Sequence, residues 1–418
     1  MTIADLDVEP ASTGRARRIM APSRSVALFV IGLCTLIVVT GSVRWASRAA
    51  HLLWVSPYDR DNDTVTLTPT TLFVSHRATL TAYDLAGGAV RWSAPAPAVV
   101  PTTPSEAGGV VVAPAAFERY FERPDLLLSR TTLTIARDAR TGEQLWMAQG
   151  APQDVTAQSV LLLDDTGDVP QLRAVAPRDG RTLWSRAAPG LAGVVVAGDA
   201  VVTADTGGRL TVVRYADGST TRTEKVPWPG NARLTVAAGR LIVTGQGPTG
   251  QTNTVYRPDT LTEMWRAGGA LFDCHAVVCG AEPRGLAGYD PDTGARRWRQ
   301  PGMTVAWPVR TDRIIASSEL SGQFQLLDPA TGRPLGEAGA GGGAGTWRPD
   351  GRTVVSDPAA PSSAYEVRGD GTIVRLDLGT GGQDVEGTID GGGWVGCRNV
   401  AKYLVCLQSS RLTVAAIG

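Results

Sequence analysis

Lysine is almost missing from this chain: Lys225 and Lys402 are the only two in 418 residues, and arginine supplies the rest of the 40 basic side chains. An equal number of acidic residues leaves a formal net charge of zero. So balanced a chain carries no electrostatic footprint for nucleic acid, and no nucleic-acid partner is expected. Histidine is scarce as well. His51, His76 and His275 fall in no metal-ligand spacing, and neither HExxH nor G-x-S-x-G occurs. No two of the five cysteines are adjacent. Helical periodicity is missing over any useful length after residue 43. What is plentiful is glycine (49) and proline (27), which suits an all-β chain with many turns.

One long apolar run is present. SVALFVIGLCTLIVVTGSV, residues 25–43, contains no charge. At about 1.5 Å per residue it matches a hydrocarbon core of roughly 30 Å. Arg15, Arg17, Arg18 and Arg24 precede it, whereas only Arg44 and Arg48 follow closely. The positive-inside bias predicts a cytoplasmic tail of 1–24, a transmembrane helix of 25–43, a juxtamembrane linker of 44–62 and an extracytoplasmic domain of 63–418. The chain is then a single-pass protein of the cell membrane. A cleaved signal peptide is the competing reading, but Arg44 and Trp45 interrupt the approach to its small-x-small site at Ser47 and Ala49. Cys34 falls in mid-span.

The remainder repeats one motif. YDPDTGARRW (289–298) nearly duplicates YDLAGGAVRW (83–92). The turn glycine and terminal tryptophan recur as Gly88/Trp92, Gly142/Trp146, Gly180/Trp184 and Gly294/Trp298. Four copies are eroded: Gly218 with Arg222, Leu261 with Trp265, Gly332 with Gly336, and Gly381 with Val385. The turns lie 33 to 54 residues apart, a period that signals a solenoid or a propeller. Short alternating runs precede each turn, such as LTAYD after TLFVS, and the tryptophan strand makes four per unit. Four short antiparallel strands per forty-odd residues form a propeller blade.

The motif has a physical reading. Asp84 and Asp290 end a strand, where a carboxylate accepts backbone N–H groups of the turn. The glycine supplies a positive φ. The tryptophan lies on the outermost strand, where a large ring covers the seam to the neighbouring blade. Eight turns are legible, and GWVGCRNVAKYLVCLQSSRLTVAAIG adds three strands without a fourth. HLLWVS (51–56) resembles a fourth strand, so the termini together would close a ninth blade. Propellers usually have 4–8 blades. Eight are expected, with residues 339–388, which begin GAGGGAG and carry DPAAPSSAYEV, as the irregular unit.

These decapeptides resemble the pyrroloquinoline-quinone-like β-propeller repeat over residues 63–418. The resemblance implies the propeller fold and leaves two functions open, because the family contains quinoprotein dehydrogenases and quinone-free scaffolds. The dehydrogenases carry an adjacent cysteine pair over the quinone and a Glu, Asn and Asp set for calcium. This chain lacks the pair, and none of its aspartates matches a catalytic motif. The expectation is therefore no catalytic residue, no cofactor and no metal. The chain reads as a membrane-anchored, non-catalytic binding or scaffold module for an envelope protein, peptide or glycan. A quinone-dependent dehydrogenase is the alternative.

Three local features remain. DRDNDT (59–64) has the alternating carboxylates of a calcium loop, but Thr64 and Thr70 stand where glycine and glutamate are needed, so a solvated linker is expected. AFERYFERPDLLLSR (116–130) is a charged, aromatic insertion in the second unit; Phe117, Arg119, Tyr120, Phe121 and Arg123 are the candidates for a partner contact. CHAVVC and CRNVAKYLVC each fit the junction of a blade's first two strands. The ends of each hairpin face one another, which predicts Cys274–Cys279 and Cys397–Cys406 disulfides.

Overall fold

A computed structural model describes residues 50–76, 79–95, 104–123, 126–247, 250–318, 324–335, 346–347, 353–356, 363–368, 370–389 and 396–417, the backbone alone at 119–123, 126–129, 346–347 and 353–356. The expected cytoplasmic tail, transmembrane helix and Cys34 lie outside these residues. Among the described residues every regular element is a strand, and no helix is long and apolar enough to cross a membrane.

Among the described residues nine four-stranded antiparallel sheets follow one another, eight of them pairing their strands in chain order. Blade 1 covers 63–95, blade 2 105–149, blade 3 151–187 and blade 4 191–225. Blade 5 covers 233–268, blade 6 271–300, blade 7 305–347 and blade 8 353–388. Blade 9 takes three strands from 396–416 and its outermost strand from His51–Pro57.

The expected count of eight is thus corrected to nine. The segment thought irregular holds two pieces of structure. In blade 7, Pro334 bridges Leu327, and the fourth strand is Thr346–Trp347, opposite Gln325 and Phe324. Blade 8 then forms in full. The expected linker of 44–62 also supplies a strand of the ring, so the propeller begins before residue 63.

No single core fills the molecule. Among the described residues apolar side chains instead gather in ten clusters, one at each of the nine seams between successive blades and a small tenth, Ala113, Ala115 and Ile135, within blade 2. The cluster of Val65, Leu72 and Leu85 with Val405, Leu412 and Val414 joins blade 1 to blade 9 and closes the ring. Across the same seam Arg398 Nη1 donates to the Val65 carbonyl at 3.3 Å. This arrangement explains the uninterrupted apolar second strands, for a blade is buried on both faces. Period-two alternation then sorts neighbours to opposite seams. Leu161 joins the seam of blades 3 and 4, whereas Leu162 joins that of blades 2 and 3. Ile314 and Ile315 divide in the same way around blade 7.

Candidate functional site

The turn of each motif is built by its aspartate. Asp290 Oδ1 accepts from the backbone N–H groups of Asp292 (2.9 Å) and Thr293 (2.8 Å), and Arg297 Nη2 donates to Oδ2 at 2.6 Å. Asp84 is held identically by Ala86, Gly87 and Arg91. The Arg297 guanidinium, with the turn N–H groups, holds the Asp290 carboxyl at about 2. Arg91 lowers Asp84, while N–H donors of Thr141 and Thr380 lower Asp138 and Asp377. A depressed carboxylate contributes stability in full above its ordinary value of 3.8, and loses it as pH falls through the folded value near 2. The melting temperature should therefore be flat above that range and fall across it. Asp290→Asn should make the fall shallower, and an unchanged melting temperature down to pH ~2 would refute the linkage.

Each tryptophan leaves its own motif and covers the next blade. Trp92 Nε1 donates to the Ala139 carbonyl (2.9 Å), Trp146 to Pro177 (2.6 Å), and Trp184 to Tyr215 (2.7 Å). Trp265 reaches Pro291 (2.9 Å) and Trp298 reaches Pro329 (2.7 Å). Every acceptor lies one residue beyond the turn's first position. The indole face lies on the turn glycine, so a Cβ built on Gly142 would stand 2.5 Å from Trp92 Cδ2. Gly88, Gly180, Gly218, Gly294 and Gly332 meet Trp54, Trp146, Trp184, Trp265 and Trp298 in the same way. These glycines have φ between 67 and 74°. Glycine is thus required twice, by the left-handed backbone and by the ring above it.

Trp54 belongs to this set and was not legible as such, since no Asp-Gly turn precedes it. It lies on His51–Pro57, donates to the Leu85 carbonyl at 2.9 Å and stacks with Tyr83 at 5.7 Å. The eroded copies also make sense as seams. Arg222 stands where blade 4 should carry a tryptophan, and the turn it faces has Leu261 at φ 55° in place of glycine. Leu261 is 4% exposed and fills the seam from the opposite side. In blade 8, Val385 pairs with Val374, one register step away from the tryptophan position. That step turns a side chain to the other face. Val385 is 67% exposed, and Glu386 lies buried against Arg375 at 2.7 Å.

The other candidate residues are distributed as follows. Phe117, Arg119, Tyr120, Phe121 and Arg123 lie on a strand of 14 residues, Val110–Arg123, paired with Leu126–Asp138. Residues 117–131 run past both neighbouring strands of blade 2 as a two-stranded ribbon. Arg130 bonds Glu118 at 2.7 Å and the Asp165 carbonyl of blade 3 at 2.8 Å, which fixes the ribbon's base. The insertion is therefore regular β-structure over 117–123 and 126–131. In DRDNDT two of the three carboxylates are engaged locally: Asp59 accepts from Asp61 N–H and Asn62, and the buried Asp63 accepts from Asp59 N–H and pairs with His76. Among the described residues no three of His, Cys, Asp and Glu converge as metal ligands.

Both disulfides are present, Cys274–Cys279 with Cα atoms 5.7 Å apart and Cys397–Cys406 with Cα atoms 4.0 Å apart. All four cysteines are buried, the first pair at the seam of blades 6 and 7 and the second at that of blades 8 and 9. Such short loops should contribute about 2–3 kcal/mol each on the chain-entropy model. Non-reduced peptide mapping should recover both pairs; free thiols, or a peptide joining the 274 and 397 regions, would refute the pairing.

A ring of four-stranded blades, six of them lidded by an indole from the blade before, defines an antiparallel β-propeller of the quinone-like repeat class. Within that class, the family model described as outer membrane protein assembly factor BamB matches residues 37–169 and 168–273, more than half of the chain. The chain belongs to this family. No curated protein matches it. Among solved structures, BamB from Moraxella catarrhalis is 16% identical, with a TM-score of 0.45 over 88% of this chain and 100% of that one. The computationally designed Ika8 protein is 12% identical, with a TM-score of 0.47 over the same shares, 88% and 100%. Quinohemoprotein alcohol dehydrogenase ADHIIG from Pseudomonas putida HK5 is 10% identical, with a TM-score of 0.45 over 88% of this chain and 76% of that one.

Proposed function

We propose that this chain is a membrane-anchored, extracytoplasmic propeller that binds an envelope protein, peptide or glycan and holds it without catalysis. Membership of the BamB-like family supports a binding role, since the family is described as an assembly factor. The observation that carries the reading is the use made of the repeat. Its aspartates, glycines and tryptophans are consumed in turns and seams, so recognition falls to what the repeat leaves unspecified. The ribbon formed by residues 117–123 and 126–131 is one such departure among the described residues, and its base is clamped by Arg130. Rigid scaffolds commonly carry their binding residues on such additions.

A photo-crosslinker at Tyr120 or Phe121 of the full-length protein in intact cells should capture one envelope partner. The adduct should disappear in Arg119→Glu/Arg123→Glu, and a crosslinker at Leu183 should give none. Equal labelling from all three positions would remove the ribbon from the contact. Added quinone and calcium should give no saturable quinone spectrum; such a spectrum with dye reduction would replace this reading by the dehydrogenase. A tag after Gly418 should be removed by protease on wall-stripped cells, and protection until lysis would reverse the topology.

A further inference from the structure

We propose that the outer edge of the closure strand, His51–Pro57, rests on the phospholipid surface. The inference deepens the anchored reading above and rests on it. Three of the strand's seven side chains are large, apolar and open to solvent: Leu52 is 50% exposed, Leu53 38% and Val55 46%. The other exposed large hydrophobics among the described residues (Val90, Met147, Val169, Leu183 and Val385) are scattered over blades 1, 2, 3 and 8. Edge strands facing water are normally blunted by charge. Arg222, Glu224 and Lys225 do this on blade 4, and Arg296, Arg297 and Arg299 on blade 6. The closure strand has no Asp, Glu, Lys or Arg. Its structural duty does not explain the three residues, because Trp54 alone supplies the lid on Gly88.

Covalent geometry favours lipid as the occupant. The apolar run ends at residue 43 and the strand begins at His51. The intervening residues span at most about 25 Å when fully extended. Arg44, Trp45 and Arg48 in that stretch are of the types that settle at a membrane interface. A strand tethered so close to the bilayer, with apolar side chains outward and no charge, is suited to the acyl–headgroup boundary.

The full-length chain with Cys34→Ser provides the test. An environment-sensitive fluorophore is attached to Leu52→Cys, to Val55→Cys and, as reference, to Leu183→Cys. Each protein is reconstituted into phosphatidylcholine–phosphatidylglycerol vesicles doped with nitroxide lipid. Labels at 52 and 55 should shift to the blue and be quenched at least about twofold more than the label at 183. Protein that resists alkaline carbonate extraction, yet whose labels at 52 and 55 behave like that at 183, overturns the proposal while leaving the anchor intact. A blue shift without quenching that grows with protein density assigns the edge to a second copy and also overturns it. Release by carbonate overturns the anchored reading itself, and the proposal with it.

Discussion

Trp298→Ala and Gly332→Ala are expected to cost less together than the sum of their separate costs, whereas Trp298→Ala and Gly294→Ala should simply add. Trp298 is buried over Gly332, and its truncation should cost about 3–5 kcal/mol. Gly332 sits at φ 67°, so alanine there meets the left-handed penalty of roughly 1–2 kcal/mol. It also meets a collision, because the new Cβ would lie 2.5 Å from Trp298 Cδ2. Removing the indole removes the collision and leaves only the backbone penalty. The resulting coupling should fall between about 0.5 and 3 kcal/mol. Gly294 faces Trp265 instead, so the pair within one decapeptide should add to within about 0.5 kcal/mol. Chemical denaturation of the three single and two double variants decides the matter. Coupling within the decapeptide and additivity between decapeptides would show that the motif acts as a local unit.

Deleting residues 1–58 should be far more damaging than deleting 1–49. The shorter deletion leaves the ring's fourth strand in place. The longer one removes the strand that pairs with Arg411–Ala416 through six register positions. It also strips the indole from Gly88 and uncovers Leu412 and Val414 at the closing seam. The loss should exceed the roughly 3–5 kcal/mol of a single buried tryptophan. The expected readout is a large drop in melting temperature with early proteolysis near blades 1 and 9, while the 50–418 chain melts close to the parent. Equal stability of the two shortened chains would mean that the ring closes without its N-terminal strand.

These contrasts mark where the sequence was legible. The turn was readable because aspartate, glycine and arginine act within ten residues, as around Asp290. The target of each tryptophan was not, because it lies one repeat ahead: Trp92 reaches Ala139, 47 positions away. Arg222 and Leu261 looked like two separate erosions and are one seam. The blade count slipped because the usual ceiling of eight blades outweighed the ninth blade that HLLWVS and the last three strands spell out together, and which their pairing forms. The two disulfides were accessible because each spans a single hairpin. The ribbon was read as an insertion rather than as strands, since its regularity comes from cross-chain pairing, Phe117 with Thr131 and Tyr120 with Leu128. Nothing in a repeat pattern specifies a ligand, so the partner stayed hidden.

The forward-reaching indole changes what counts as a portable piece of this molecule. A blade cut at its own borders, such as 151–187, would carry Trp184 away from Gly218 and abandon Trp146 without Gly180. Grafting it elsewhere breaks two contacts that no choice of linker restores. A cut between the turn glycine and the tryptophan of two successive motifs, just ahead of each fourth strand, keeps each ring with the glycine beneath it. Blade duplication, chimaeras and ring enlargement should therefore succeed at crossovers just ahead of the fourth strand and fail at the loops between blades, although those loops are where the chain looks most easily divided.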